Sequence, residues 1–478
     1  MPRFRKIPGY ATPAALAEYL TELSPALSLP LTSQPSQAVL ATDWSFHDAS
    51  RGRITLGNRF TILPMEGWDG SPDGAPTELV RRRWLRFAES GAKLLWFEAT
   101  AVRHDGRANP RQLVLNASTV DAIRHLRQEA VAQHQAKFGS QDGLLTGLQL
   151  THSGRWCRPD GKPAPRIVYS HPWLDSRVGL DDTTVPAALL SDADIDQLVE
   201  DYITAAVHAR DAGFEFVDLK HCHGYFAHEL LSAYTRPGRY GGALDNRLHF
   251  LQQVISGVRQ RCPELAIAVR FSAFDFQPFQ AGPDGVGVPT TDSAYPYAFG
   301  ATDSGLALDW PEIEAFVAQL EKLGVGLVCV SAGSPYYTPH IQRPAFYPPS
   351  DGYQPPEDPL LGVARLLDIS RRIKQRFPTL GVVGTGLTYL QQHLPAIAAG
   401  CVQQNWMDSP GLGRISLSYP NLPEDVLAGR KLARKLICRT FSDCTTAPRN
   451  GLRSGCYPLD DFYRQSEDYE RLKAIKRE

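Results

Sequence analysis

Residues 191–225 read SDADIDQLVEDYITAAVHARDAGFEFVDLKHCHGY, and this stretch decides the fold. Ser191 stands before the acidic residues Asp192 and Asp194. Its hydroxyl can accept an orphan backbone N–H, and the acids favour the positive end of a helix, so a helix is predicted over 192–212. Gly213 follows where a left-handed cap is wanted. The run 215–219 is short and apolar, as a buried strand should be. Directly after it come Lys220, His221, His223 and Tyr225, a dense set of donors and acids at a strand end.

Working outward, the same unit recurs. Short apolar runs lie at 60–64, 94–98, 144–150, 215–219, 266–271, 326–330 and 380–384, with a weaker one near 407–412 that contains Pro410. Longer amphipathic stretches separate them at 78–89, 119–138, 192–212, 246–261, 310–323 and 359–377, and Gly91, Gly139 and Gly324 stand past helix ends as Gly213 does. Strand–helix alternation eight times over predicts an α/β fold, a (β/α)8 TIM barrel, rather than an open doubly wound sheet. We divide the chain into a Pro-rich N-terminal extension at 1–55 with one helix at 13–23, a barrel at 56–430 and a tail at 431–478.

Composition excludes several classes. The 478 residues carry 50 basic and 51 acidic side chains, so no charge excess draws the chain to nucleic acid or a membrane surface. No apolar run approaches the ~18 residues of a membrane span. The N-terminus has no apolar segment of the secretory kind. Eight cysteines without scaffold spacing suit a reducing cytoplasm. The expected partner is a small-molecule substrate, and self-association into a homo-oligomer is left open. The His-x-His pair is half of a metal site, but no Cys or carboxylate completes a ligand set, so no metal is expected. Segments 275–309 and 333–358 are rich in Gly, Pro and aromatics and follow strands. In a barrel both lie at the C-terminal mouth, so they are expected to fold over it as lids, with Phe274, Tyr336 and Tyr337 as substrate contacts.

A family resemblance rests on seven motifs in one order. His223-Gly224-Tyr225, then Tyr240-Gly241-Gly242 and Asn246-Arg247, resemble the strand-four signature of the old yellow enzyme family. LPMEGWDG at 63–70, FEATAVRHDGR at 97–107, QLTHSGR at 149–155 and VRFSAFD at 269–275 resemble its loops after strands one, two, three and five. VVGTG at 382–386 and GLGR at 411–414 resemble its phosphate-binding turns. The resemblance implies FMN as cofactor and NAD(P)H as electron donor. No separate dinucleotide-binding unit is needed, since in this family the nicotinamide stacks on the flavin. It implies cofactor contacts from Pro64, Met65, Glu66, Ala99, Gln149, Arg270, Gly384, Gly386, Gly413 and Arg414. Gln149 suits the pyrimidine edge of the ring, Arg270 the negative charge of the reduced form, and the two glycine turns with Arg414 the phosphate. Tyr225 is then the proton donor and His223 a carbonyl donor. Two positions depart from the family: Lys220 replaces a His, and Glu66 stands where Cys or Thr is usual. His152 is the next candidate for the substrate oxygen.

The tail ICRTFSDCTTAPRNGLRSGCYPLD lies where larger relatives, of the 2,4-dienoyl-CoA reductase and trimethylamine dehydrogenase kind, hold an iron–sulfur cluster. Cys438, Cys444 and Cys456 fall near three of its slots and Phe441 at the fourth, so the tail reads as a degenerate cluster motif. The function expected is transfer of hydride from NAD(P)H through flavin to an activated C=C of an unsaturated carbonyl compound. The alternatives are a dehydrogenase or demethylase passing electrons to a partner, and a non-catalytic binding barrel.

Overall fold

The computed structural model describes residues 4–477. Eight parallel strands close into a barrel in chain order: β1 (Thr61–Ile62), β2 (Leu94–Ala101), β3 (Leu145–Thr151), β4 (Phe216–Leu219), β5 (Ala266–Ser272), β6 (Leu327–Ser331), β7 (Gly381–Gly384) and β8 (Ser409–Leu412). β1 pairs with both β2 and β8, which closes the ring. Seven helices alternate with the strands: α1 (Glu78–Ala88), α2 (Val120–Phe138), α3 (Asp192–Asp211), α4 (His249–Arg261), α5 (Trp310–Lys322), α6 (Pro359–Arg376) and α7 (Leu394–Gln403). After β8 come the short helices Ile415–Ser418 and Leu422–Leu427, and then the tail helices Asp443–Arg449, Asp461–Arg464 and Glu467–Ile475. The predicted (β/α)8 barrel is therefore present.

Local chemistry accounts for the boundaries. Ser191 Oγ accepts from Asp194 N at 3.1 Å while Asp194 Oδ2 accepts from Ser191 N at 2.8 Å, a reciprocal box that starts α3. Gly139 closes α2 at φ 75°, where a side chain would be strained. Pro410 does not open β8. Ser409 pairs with Val383 and Gly411 with Thr61, and the hydroxyls of Ser409 and Thr61 lie 2.6 Å apart across the seam.

Two elements differ from the sequence reading. α7 (LPAIAAGCVQ) has almost no polar face, and seven of its residues are buried, so its sequence lacks the amphipathic stripe of the other helices. Residues Trp44–Asp48 and Gly52–Leu56, all but Leu56 within the segment 1–55 read as irregular, form an antiparallel hairpin. Its turn is fixed by Asp48 Oδ1, which accepts from Ser50 N at 2.8 Å and Arg51 N at 3.2 Å. Trp44, Phe46 and Leu56 enter one apolar cluster with Trp96, Phe216, Leu327 and Val383 from the strands. The hairpin thus plugs the N-terminal end of the barrel and leaves the opposite end for chemistry.

Candidate active site

The C-terminal ends of β1 and β3 to β8 converge on one cleft of about 1400 Å³, open mouth included. Behind the lining residues Gln149 and Arg270 lies Asp218 on β4, fully buried. Asp218 Oδ2 accepts from Trp96 Nε1 at 3.0 Å and from Gln149 Nε2, and Oδ1 accepts from Arg270 N at 2.7 Å. Burial pushes this carboxyl up to about 6, against the pull of those donors. The arrangement fixes Gln149: its amide nitrogen is taken, so its carbonyl oxygen is left for a ligand N–H. An asparagine at 218 would aim an NH2 at one of three donors. We therefore expect Asp218→Asn to cost about 1–3 kcal/mol of ligand binding, as for an unmade buried bond. A tenfold or greater rise in the FMN dissociation constant, read by flavin fluorescence, is the check (about 1.4 kcal/mol per tenfold).

The turn after β4 carries the reactive side chains. His223 sits at φ 69°, in the left-handed region that non-glycine residues rarely enter, and Gly224 follows at φ 76°. A Cβ on Gly224 would meet Ser334 Oγ at 2.7 Å, so the close approach of the β6 loop requires glycine there. His223 Nε2 lies 3.0 Å from Ser331 Oγ and 3.3 Å from Gln342 Nε2. Burial, then the charges of Arg270 and Lys220, keep the ring neutral. Lys220 Nζ lies 3.9 Å from the centre of the Tyr225 ring and 3.8 Å from Glu66 Oε2. Glu66 turns inward, accepting from Trp68 Nε1 at 2.7 Å, and burial raises its pKa. Trp68 also takes a left-handed φ of 51°. The loop bearing Glu66 and Trp68 is braced from behind: Arg83 of α1 bonds Asp69 at 2.6 and 2.8 Å and Glu98 at 2.7 Å.

The other end of the cleft is cationic. Arg343 and Arg414 face Gly386 and Gly413, and Arg449 from the tail joins the same lining. Burial and the neighbouring Arg414 push the Arg343 guanidinium down to about 9. Arg414 Nη1 is buried without a partner, as is Arg270 Nε deeper in the cleft. Clustered guanidiniums with buried, unused N–H groups call for an anion. The residues present therefore fit FMN: a phosphate among Arg343, Arg414 and the glycine turns, and an isoalloxazine ring between Gln149 and Arg270. Arg343→Ala and Arg414→Ala should each weaken FMN retention by about 1.5–3 kcal/mol, the worth of a charged hydrogen bond. Retention on dilution measures this; if only Arg414→Ala responds, Arg343 is not a phosphate ligand.

Of the residues predicted for the site, Pro64, Met65, Glu66, Gln149, Lys220 and His223 line the cleft, and so do Tyr225, Arg270, Tyr336, Gly386, Gly413 and Arg414. Five do not. Ala99 is buried in β2, where its carbonyl accepts from Gln112 Nε2 at 3.3 Å. A Cβ on Gly384 would run into Met407, so that residue faces the helix layer. His152 is buried against Phe226, and its Nδ1 accepts from Gly154 N at 3.1 Å. Phe274 packs on Phe276 in the core. Tyr337 turns away from its neighbour Tyr336 and donates to Asp275. The segment 275–309 likewise stays outside the lining. It holds a small hairpin (Phe279–Ala281 with Gly287–Pro289) and packs on the loop after β3, with His171 Nε2 2.6 Å from Tyr295 Oη. Sequence reasoning missed Arg343 and the tail residues Cys444, Thr445, Pro448 and Arg449, all in the lining.

The tail is an integral wall. Phe346 N donates to Thr440 Oγ1 at 3.1 Å, Arg449 bonds Asp351 at 2.7 Å, and Arg82 bonds Asp460 at 2.9 Å. All eight cysteines are free thiols. Phe441, at the fourth cluster slot, stacks on Tyr347 with centroids 5.7 Å apart. Three thiols and an aromatic ring do not fit a cluster that needs four thiolates. Among the described residues no group of three or more His, Cys, Asp or Glu side chains is arranged for a metal ion. Anaerobically purified protein is expected to contain no stoichiometric iron or acid-labile sulfide; about four irons per chain would overturn this.

Comparison with known proteins agrees with this geometry. The profile of the NADH:flavin oxidoreductase / NADH oxidase family matches residues 46–288. An NADPH dehydrogenase of Listeria welshimeri is 32% identical over 227 residues, which cover 47% of this chain and 62% of that protein. The match thus spans less than two thirds of that relative. The fold is similar to that of 2-naphthoyl-CoA reductase, with TM-score 0.64 and 14% identity, covering 90% of this chain and 58% of the other. It is also similar to an old yellow enzyme homologue from Zymomonas mobilis, with TM-score 0.55 and 20% identity over 82% of this chain and 94% of the other. With its barrel, its cationic glycine-rich turns and its His-Gly-Tyr corner at β4, the chain belongs to the NADH:flavin oxidoreductase / NADH oxidase family, that of old yellow enzyme.

Proposed function

We propose that the protein is an FMN-dependent oxidoreductase that uses NAD(P)H to reduce the activated C=C bond of a small unsaturated carbonyl compound. The observation that carries this reading is the grouping of an ammonium, a neutral imidazole and a buried phenol, Lys220, His223 and Tyr225, on the lining of one cleft. FMN, when bound, supplies the hydride. The chain's own residues do the rest. Lys220 and His223 offer N–H donors to a substrate oxygen, and such donors act most strongly on the negative charge that develops as the double bond is reduced. Burial and Glu66 favour the protonated form of Tyr225, so the resting phenol carries a proton to give to carbon. Oxidation of an amine passing electrons to a partner is the competing reading. Lys220 already places its own cation 3.9 Å from the Tyr225 ring, which is where an aromatic-lined pocket would hold a substrate ammonium.

Anaerobic titration with NADH and NADPH, followed by mixing with a panel of enones and nitroalkenes, tests the reading. Bleaching of the flavin and its rapid return with an enone is the expected result. Bleaching by amines, with no response to enones, would replace it with the amine reading.

A further inference from the structure

The phenol that gives a proton must get it back. Tyr225 is 3% exposed, so its route to solvent runs through neighbours. One neighbour is placed to supply it. Tyr336, on the loop after β6, has its hydroxyl 3.1 Å from Tyr225 Oη. Tyr336 is half-buried and lines the cleft. Its ring lies flat on Trp156, with centroids 4.1 Å apart and planes at 6°. On the tail side, the Arg449 guanidinium lies 5.9 Å from the same ring and is itself held by Asp351 at 2.7 Å and Pro335 O at 2.9 Å.

We propose that Tyr336 acts through Tyr225, as the positioning residue that returns its proton from solvent after each turnover. The proposal rests on the reductive reading above. The proton balance is closed. Tyr225 Oη–H breaks as a C–H bond forms on the substrate, and the double bond gains that proton together with the hydride that NAD(P)H supplies through the cofactor. Tyr336 Oη–H then breaks as Tyr225 Oη–H re-forms, and a solvent water reprotonates Tyr336. The net result is one solvent proton delivered to the substrate per turnover, and the hydroxide left by that water is neutralised in bulk solvent.

The direction of transfer follows from the surroundings. Burial, then Glu66 and Tyr336, hold the Tyr225 phenol well above its ordinary value. Burial also raises Tyr336, but only to about 12, because the bond to Tyr225 and the charges of Arg449 and Arg158 work against burial and Glu66. With the Arg449 guanidinium 5.9 Å from its ring, Tyr336 bears the charge more easily, and the proton passes from it to a Tyr225 phenolate. The negative charge passes to the half-buried position, beside two cations. The stack on Trp156 keeps the hydroxyl in place without using any of its hydrogen-bonding capacity.

The test uses the FMN-loaded protein and the variant Tyr336→Phe, which keeps the stack and removes only the hydroxyl. Two measurements separate the relay from the reading on which it rests. In oxidised holoenzyme carrying ring-carbon-labelled tyrosine, the deuterium isotope shift reports hydroxyl exchange of Tyr225 with solvent and needs no substrate. This exchange should slow about a hundredfold or more in the variant, the low end of what a positioned acid or base contributes. In stopped flow with an enone, the ratio of steady-state to first-turnover rate should fall by a similar factor, because only the first turnover starts with Tyr225 protonated. A solvent deuterium effect should grow on the steady state alone. Unchanged exchange in the variant overturns the relay. Equal loss in first turnover and steady state also overturns it, because Tyr336 is then a substrate or packing contact. A parent protein that reduces no enone removes the functional reading, while the exchange measurement still decides the proton route.

Discussion

Tyr225→Phe is expected to leave reduction of the flavin by NAD(P)H at its parent rate and to slow reoxidation by an enone by roughly 100- to 10,000-fold, the usual contribution of a general acid. The asymmetry follows from the surroundings of the hydroxyl. Tyr225 Oη reaches Tyr336 Oη at 3.1 Å, and its ring carries the Lys220 ammonium, so its polar contacts are with the substrate end of the cleft. Gln149, Arg270, Arg343 and Arg414, elsewhere on the lining, are the groups that would hold the cofactor. The substitution removes one oxygen from a fully packed ring and creates no cavity. Tyr336, the partner at 3.1 Å, is half-buried and can turn to water. Stability and FMN content should therefore stay near those of the parent, and separate stopped-flow measurements of the two half-reactions give the result. Equal slowing of both halves would make Tyr225 a flavin or scaffold residue. No slowing in either would mean that the proton comes from elsewhere, and the catalytic reading of the β4 corner would fall.

The barrel was legible because its signals are local. Apolar runs of four to eight residues, an N-cap at Ser191 and a left-handed Gly139 each state a boundary within a few residues, and eight repetitions leave one architecture. The β4 corner was legible for the same reason: Lys220, His223 and Tyr225 are adjacent in sequence and sit on one turn. What failed was side rather than place. Neighbours along an extended or turning chain point to opposite sides, so a motif gives the loop and not the face. Tyr336 enters the cleft while Tyr337 turns back to Asp275; Gly384 faces Met407, and Gly386, two residues on, lines the cleft where its φ of 85° turns the chain. Arg343 and Arg449 were missed for a different reason. Each belongs to an irregular segment, 333–358 or the tail, and their meeting depends on contacts between segments nearly a hundred residues apart, such as Phe346 N with Thr440 Oγ1. The cysteine spacing drew the reading of the tail toward a cluster, yet its arginine lines the cleft. The N-terminal hairpin likewise gets its stability from the barrel it plugs, since two strands alone are marginal in water.

Removing Lys220 should have the second large effect, and its interpretation depends on Glu66. The ammonium is 4% exposed; burial pulls its pKa down while Glu66 at 3.8 Å pulls it up. If it donates to the substrate oxygen, Lys220→Ala should cost roughly 2–4 kcal/mol in kcat/KM, carried mainly by kcat, as for other donors that stabilise developing negative charge. The same change strips Glu66 of its nearest cation. A buried carboxylate without a partner is costly, so Glu66 should then take up a proton more readily rather than stay charged. That response would lower thermal stability and could mimic a catalytic loss. The double variant Lys220→Met with Glu66→Gln separates the two effects. It replaces both charges by neutral groups of similar size, and the amide oxygen introduced by Glu66→Gln still accepts from Trp68 Nε1. Thermal stability should recover toward the parent while kcat/KM stays depressed. If the rate recovers with the stability, Lys220 serves only to neutralise Glu66. The oxygen-binding role would then fall to His223, since His152 is buried against Phe226 with its Nδ1 committed to Gly154 N and does not reach the cleft.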